Sequence, residues 1–277
     1  MITRLLSALV LIIVLALPVA FGPAWVVLVF AMIVVPWCAF ELMKATLSKT
    51  AHVLGYILMV GTEGLLWYAH KGDFMLLFMV STCTALSIII AGLYLYEKGW
   101  ATGRDVAIAL SGLVYPSGLC CFVVMLRYAP DGRFWMIFAI VCTFIADGGA
   151  YFAGRSLGRH KLSPNLSPEK TIEGLAGGIA ASMVFGLIFA LCYTKISELT
   201  TVWEPLIRTY PVWLYIVLGL AAALLGLAGD LNASMYKREF AIKNFGNVIP
   251  GHGGMLDRMD SGITVGAALY IILSFII

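Results

Sequence analysis

The stretch Phe74–Tyr96, FMLLFMVSTCTALSIIIAGLYLY, runs 23 residues without a charged side chain. At 1.5 Å per residue, a helix of that length reaches about 35 Å, enough to cross the roughly 30 Å of hydrocarbon in a bilayer. It is read as a membrane span, and the rest of the chain repeats the pattern. Of 277 residues, 61% are hydrophobic and 12% charged, where a soluble globular protein is nearer half and a quarter. Polar punctuation divides the chain into about nine candidate helices: 4–20, 23–43, 51–69, 74–96, 105–127, 133–153, 172–193, 211–232 and 256–277. Arg4 precedes the first apolar run in the manner of a signal peptide. No small-x-small cleavage pattern follows it and a second span comes at once, so a retained helix is expected.

The spans leave no room for a soluble domain. The expected fold class is an all-α polytopic integral membrane protein, one membrane domain over 1–277, with N-terminal helices in 1–132 and the chemistry-bearing helices and loops in 133–277. The net charge of +3 is too small to suggest nucleic acid as a partner. Cys38, Cys83, Cys120, Cys121, Cys142 and Cys192 all fall in apolar runs, with no CxxC pair and no metal spacing, and are read as packing residues.

Lysine and arginine set the orientation. With the N-terminus inside, the inner segments hold 13 of the 18: Arg4, Lys44, Lys49, Lys98, Arg104, and then two dense groups. These are Arg155, Arg159, Lys161 and Lys170, followed by Lys237, Arg238, Lys243 and Arg258. The outer loops hold Lys71, Arg127, Arg133, Lys195 and Arg208. Both dense polar segments, 154–171 and 233–260, are therefore expected on the cytoplasmic side.

Three segments carry chemistry. In Leu227–Asn244, LAGDLNASMYKREFAIKN, a helix leaving the membrane would put Asp230, Ser234, Lys237 and Arg238 on one face. An aspartate at the C-terminal end of a span gains nothing from the helix dipole and needs a cation. That cation is a metal or, in the plainer reading, Lys237 or Arg238 in a structural ion pair. In Pro250–Asp260, PGHGGMLDRMD, Gly253 and Gly254 let backbone approach a ligand, and Asp257 and Asp260 sit three apart at the start of the last span. The plainer reading there is a glycine turn before a helix that favours acids in its first turn; His252 alone suits a turn, and a single histidine argues against zinc. In Ala146–Gly178, Asp147 is a third carboxylate at the inner end of a span. Ser167-Pro168 is read as a cap with proline at the first helical position, placing Lys170 and Glu173 on the first turns of the seventh span, where a phosphate would satisfy cation and helix end together. The three segments suit one task, the holding of polyphosphate, divalent metal and lipid headgroup at the cytoplasmic surface.

The run Ser234-x-x-Lys237-Arg238-x4-Lys243-Asn244-x-Gly246-x2-Ile249-Pro250-Gly251-His252-Gly253-Gly254-Met255-x-Asp257-Arg258-Met259-Asp260 closely resembles the signature of the CDP-diacylglycerol synthases, or phosphatidate cytidylyltransferases. ADGGAYFAGRSLG (146–158) and SPEKTIEG (167–174) resemble two further blocks of that family, in order. The resemblance is strong over about 146–265. Two positions depart from it, Asn244 where the family usually has aspartate and Gly148 where it has serine or threonine. It implies transfer of CMP from CTP to phosphatidate, with release of pyrophosphate and an active site on the cytoplasmic side of a bacterial inner membrane. Magnesium is implied as cofactor, with a second, monovalent cation as a candidate companion. Metal ligation falls on Asp230 and Asp257, with Asp260 a further candidate. Lys170, Lys237, Arg238 and Arg258 are expected to clamp phosphates, and His252 with Gly253 and Gly254 to close on nucleotide. Ser234, Lys243, Asp147 and Glu173 complete the expected substrate-binding set.

A CTP-dependent lipid kinase acting on dolichol or phytol is the nearest rival. A CDP-alcohol phosphatidyltransferase is disfavoured by the lack of a DGxxAR pattern, because the Asp147 block runs DGGAYF. An ion-coupled transporter would use Asp147 and Asp230 as an ion path, but the charge gathers at one face rather than at mid-membrane. Gly262-x-x-x-Gly266 allows close helix packing, within the chain or in a homodimer.

The basic asymmetry makes a prediction. In a background without native cysteines, a cysteine at position 165 should react with an impermeant thiol reagent only after the inner face is opened. Labelling in sealed right-side-out vesicles would reverse the assigned orientation.

Overall fold

Within hydrocarbon a backbone must satisfy its own hydrogen bonds, so apolar runs of this length have helix as their one open-ended solution. The computed structural model, which describes residues 22–199, 210–249 and 253–276, is accordingly helical almost throughout. The first half contains α1 (Ala24–Thr46), α2 (His52–Lys71), α3 (Phe74–Glu97), α4 (Gly103–Gly112) and α5 (Leu119–Tyr128). The second contains α6 (Gly132–Leu157), α7 (Ile172–Leu199), α8 (Val212–Glu239) and α9 (Leu256–Ser274).

Helices α4 and α5 form one rod with a wider turn at Leu113–Gly118 between them. Tyr115 there takes φ −127° and ψ 118°. A residue before proline is pushed out of the helical region, and Pro116 has no N–H to continue the ladder. The expected span 105–127 is thus a single crossing with a break at its middle.

Six of these rods are long and apolar enough to cross a membrane among the described residues: α1, α3, α4 with α5, α6, α7 to Cys192, and α8. The more polar α2 carries Glu63, and α9 opens with Asp257, Arg258 and Asp260; neither joins that set. The expected run 4–20 lies outside the described residues. Large apolar side chains such as Val60, Met75, Phe78 and Phe152 are more than two-thirds exposed. A surface so rich in apolar side chains belongs against lipid rather than water. The protein is an all-α polytopic membrane protein.

Two apolar clusters fill the interior. One joins α1, α2, α4 and α5 and reaches Phe245 and Leu256; the other joins α6, α8 and α9 around Trp135, Phe138 and Leu218. Between lipid-bathed helices, apolar burial supplies little drive, and close backbone approach through small residues takes its place. Gly149 of α6 faces Ala181 and Gly177 of α7; a Cβ on it would stand 2.6 Å from the Ala181 Cβ. On α8, a Cβ at Gly219 would stand 2.5 Å from the Ser182 carbonyl, and one at Gly229 would stand 2.5 Å from the Asp260 carbonyl. These seams draw together the ends of α6, α7, α8 and α9, where the charged motifs lie. The Gly262/Gly266 pair does not form one packing face: Gly266 meets Val123, whereas Gly262 has open space around it.

One local expectation is corrected. Ser167-Pro168 does not cap α7. It begins β2 (Ser167–Thr171), which pairs antiparallel with β1 (Lys161–Ser163), and α7 starts only at Ile172. The edge of a two-stranded ribbon tolerates proline, which lacks a donor. Glu173 then does the work of holding the ribbon, accepting from the backbone N–H of Arg159 (3.1 Å) and of His160 (3.2 Å), with His160 Nδ1 2.6 Å away.

Three contacts tie together segments at one end of the bundle. The Ser48 N–H donates to Asp105 Oδ1 (2.9 Å), Arg104 pairs with Glu239 (2.7 Å), and Arg238 Nε donates to the Leu166 carbonyl (3.1 Å). Both dense basic segments therefore share a face, as the charge distribution requires.

The glycine seams can be tested directly. Gly219→Val should lower the unfolding midpoint in detergent, at a cost of about 1–3 kcal/mol for overpacking against backbone that cannot retreat. Gly262→Ala should leave the midpoint unchanged.

Candidate active site

Helix α8 continues past the apolar run to Glu239, as its uninterrupted helical pattern predicts, so Asp230, Ser234, Lys237 and Arg238 share one face of a regular helix. Their partners come from other elements. Asp230 pairs with Lys170 of β2. Lys237 Nζ donates to Asp257 Oδ1 at 3.0 Å, joining α8 to the first turn of α9. The ion pair within α8 that the sequence also allowed does not form: the cation on Asp230 arrives from sixty residues upstream. Lys170 reaches it from the strand before α7 rather than from that helix's first turn.

Asp257 is a junction. Its Oδ2 accepts from the backbone N–H of Phe245 (2.9 Å) and of Gly254 (3.1 Å), while Oδ1 holds Lys237. The carboxylate fastens the chain at Phe245 and again at Gly254, and is itself buried. Gly253 supports this geometry with φ +90°, a conformation that L side chains rarely adopt. A Cβ on it would lie 3.0 Å from Asn244 Cγ and 3.2 Å from Asp257 Oδ2, so Asn244 leans on the loop beside the carboxylate.

Asp260 is buried, and its Oδ1 accepts from the N–H of its neighbour Ser261 at 2.8 Å. It has no cation partner among the described residues, although the charges of Asp230, Lys237 and Asp257 act on it. Asp147, ten residues before the end of α6, lies within the electrostatic reach of Lys170 and Asp230. The structure thus brings Asp147, Lys170, Asp230, Lys237, Asp257 and Asp260 into one group.

Other expected members stand apart from that group. Arg238 is engaged with the ribbon, and Glu173 with Arg159 and His160. Ser234 is half-buried on the shared face of α8, while Arg258 and Lys243 are exposed. His252, with Pro250 and Gly251, lies outside the described residues.

Two groups escaped the reading of the motifs. Glu41 of α1 is 3% exposed, and its Oε2 accepts from the N–H of Leu256 at 2.9 Å. Tyr115, at the break between α4 and α5, is buried with a hydroxyl that has no hydrogen-bond partner among the described residues, and Asp260 and Asp257 are among the charges that act on it. The signal for Glu41 was present: an intramembrane carboxylate marks function by default, and Glu41 sits in the apolar run WCAFELM.

Two lysine–aspartate contacts thus stand together at one end of the helical bundle, beside backbone that Asp257 holds at Phe245 and Gly254. The cytidylyltransferase family matches this chain over residues 2–276. The chain belongs to that family. Among its curated relatives, a phosphatidate cytidylyltransferase of Staphylococcus aureus (strain COL) is 31% identical over 276 residues, covering 98% of both chains. Enzymes of the same name from Staphylococcus saprophyticus and Staphylococcus epidermidis are each 28% identical, over 98% and 93% of both chains. Family membership therefore extends over the N-terminal helices, where the motifs are silent, as well as over the motif-bearing half.

The geometry separates two kinds of position. Asp257→Asn removes the charge opposite Lys237 and should lower kcat by about 100-fold or more, as loss of a preorganised charge in a transfer site does. The protein should still fold and insert. Asn244→Asp restores the residue usual in the family at a position that supports the loop, and should change kcat only modestly. Steady-state kinetics of the purified variants check both. Near-normal turnover by Asp257→Asn, or a large gain by Asn244→Asp, would contradict the assigned roles.

Proposed function

We propose that this chain is a phosphatidate cytidylyltransferase, transferring CMP from CTP to phosphatidate and releasing pyrophosphate, in a bacterial cell membrane. The observation that carries the reading is the pair of lysine–aspartate contacts, Lys170 with Asp230 and Lys237 with Asp257, at one end of a bundle belonging to the cytidylyltransferase family. The helices α1 to α9, with α4 and α5 as one rod, and the apolar run 4–20 together make nine crossings. The excess of lysine and arginine supports a site on the cytoplasmic face, where CTP is found.

In the reaction, an oxygen of the lipid phosphate forms a bond to the α-phosphorus of CTP. The bond from that phosphorus to the bridging oxygen breaks, and pyrophosphate leaves with its electron pair. A phosphomonoester is already an anion near neutral pH, so no strong base is required. Positioning and neutralisation of charge are the tasks left to the protein. Lys170 and Lys237 are each oriented by a carboxylate, and the anionic oxygens of a triphosphate compete for them. Arg258, exposed beside Asp257, adds a third cation for phosphate or lipid headgroup.

The carboxylates suit a magnesium ion. Among the described residues no three His, Cys, Asp or Glu side chains already converge as a cage, but magnesium is commonly held by one or two carboxylates with substrate phosphates completing its shell. Asp260, buried without a cation partner among the described residues, fits such a role, with Asp230 and Asp257 freed as their lysines turn to phosphate. Bound there, magnesium supplies neutralisation of the charge spread over the reacting phosphates. A second, monovalent cation and a homodimer both remain compatible with this arrangement.

Purified protein given α-labelled CTP and phosphatidate should place the label in a CDP-lipid and release pyrophosphate in equal amount. Appearance of CDP with transfer of a γ-label to lipid would replace this reading with a lipid kinase. Absence of any CTP turnover would overturn both.

A further inference from the structure

We propose that Glu41, on the N-terminal helix α1, is a positioning residue of the active site that sets Gly246, Gly254 and the first turn of α9. The proposal rests on the transfer reaction proposed above and adds to it a residue outside the motif-bearing half. Glu41 stands five residues before the end of α1 and is almost fully enclosed. A carboxylate in such a place is costly unless its oxygens are satisfied. Oε2 accepts from the Leu256 N–H at 2.9 Å, and Oε1 faces the indole Nε1 of Trp37 at 3.3 Å. Leu256 is the first residue of α9, so its N–H is one of the donors that a helix leaves unpaired at its start. An anion at that end is also favoured by the helix dipole.

Two glycines of the loop rest directly on this carboxylate. The three atoms nearest to a Cβ on Gly246 would all belong to Glu41, with Oε1 overlapped and Cδ at 2.8 Å. A Cβ on Gly254 would stand 2.5 Å from Oε2. On the other side, Asp257 holds the N–H groups of Phe245 and Gly254. Phe245, Gly246 and Gly254 are therefore held between two buried carboxylates, one from each half of the chain. Asp257 and Asp260 lie on the turn whose first N–H Glu41 holds, so the rotation of α9, and with it the aim of both side chains, follows from a residue more than two hundred positions away. Glu41 touches neither the lysines nor any of the other aspartates of the site among its hydrogen bonds. Its influence passes through backbone.

The test uses the full chain purified in lipid–detergent micelles, with Glu41→Ala, Glu41→Gln, Gly246→Ala and the double variant Glu41→Ala/Gly246→Ala. Displacement of reacting groups by about 1 Å can cost about 100-fold, so Glu41→Ala should lower kcat by about 10- to 100-fold, with KM for phosphatidate unchanged. Glu41→Gln, whose amide oxygen can still accept from Leu256, should keep more activity than Glu41→Ala. Gly246→Ala alone should be slow, and the double variant no slower than Glu41→Ala, because the new methyl fills space that the carboxylate has left. Hydrogen exchange over 246–256 should quicken in Glu41→Ala, a readout that stands whether or not the reaction is the one proposed. Failure of the native chain to turn over CTP would remove the reaction and leave this exchange result to decide the role of Glu41. Wild-type kcat in folded Glu41→Ala, unchanged exchange, or multiplied losses in the double variant would each overturn the proposal. Should Glu41→Ala not fold, Gly246→Ala probes the same contact from the loop, and wild-type kcat there overturns it equally.

Discussion

The carboxylate of Asp257 is the fixed point of the molecule. With one oxygen on Lys237 and the other on two backbone N–H groups, it ties the end of α8, the loop beyond it and the start of α9 into a unit. A buried charge of this kind survives only because each of its directions of approach is filled by a donor. The glycine seams between α6, α7, α8 and α9 serve the same end: they let four helix termini approach closely enough for Lys170, Asp147 and Asp230 to join the group. Without that approach the lysines and aspartates would be separate charges at the membrane surface, each paired with water.

Breaking one contact of such a unit exposes the others. Removal of Asp257 leaves a lysine without its partner and two loop N–H groups without an acceptor, which is a larger change than the loss of a surface ion pair. By contrast, Arg104 and Glu239 meet at 2.7 Å with both side chains more than half exposed, and such pairs contribute little. The same distance criterion thus covers contacts of very different consequence, and burial decides between them.

The spans were legible in the sequence because hydropathy and length are local properties. Every expected span from 23–43 onward corresponds to a helix, within a few residues at its start. The ends were harder, because α8 and α6 run on past their apolar stretches as ordinary solvent-exposed helix. The face formed by Asp230, Ser234, Lys237 and Arg238 was legible for the same local reason. Partnerships were not: nothing in the spacing tells Lys170 to choose Asp230, or Lys237 to choose Asp257, because those choices depend on how helices distant in sequence pack. The ribbon over 161–171 hid behind a serine–proline pair that serves a helix start or an edge strand equally well. Glu41 was visible as an intramembrane carboxylate, but its partners, the Leu256 N–H and two glycines far along the chain, were not.

Helix α8 has 28 residues, about 42 Å of helix, against a hydrocarbon layer of about 30 Å. Its last turns therefore reach beyond the hydrocarbon, and they carry Lys237 and Arg238. A catalyst built at that depth has no need to extract a lipid or to admit a nucleotide into oil. Each reactant keeps its own solvent, acyl chains below and ribose above, and only their phosphates meet. The encounter becomes two-dimensional for one partner and three-dimensional for the other, so its rate is governed by the mole fraction of the lipid in the bilayer rather than by its amount per volume of cell.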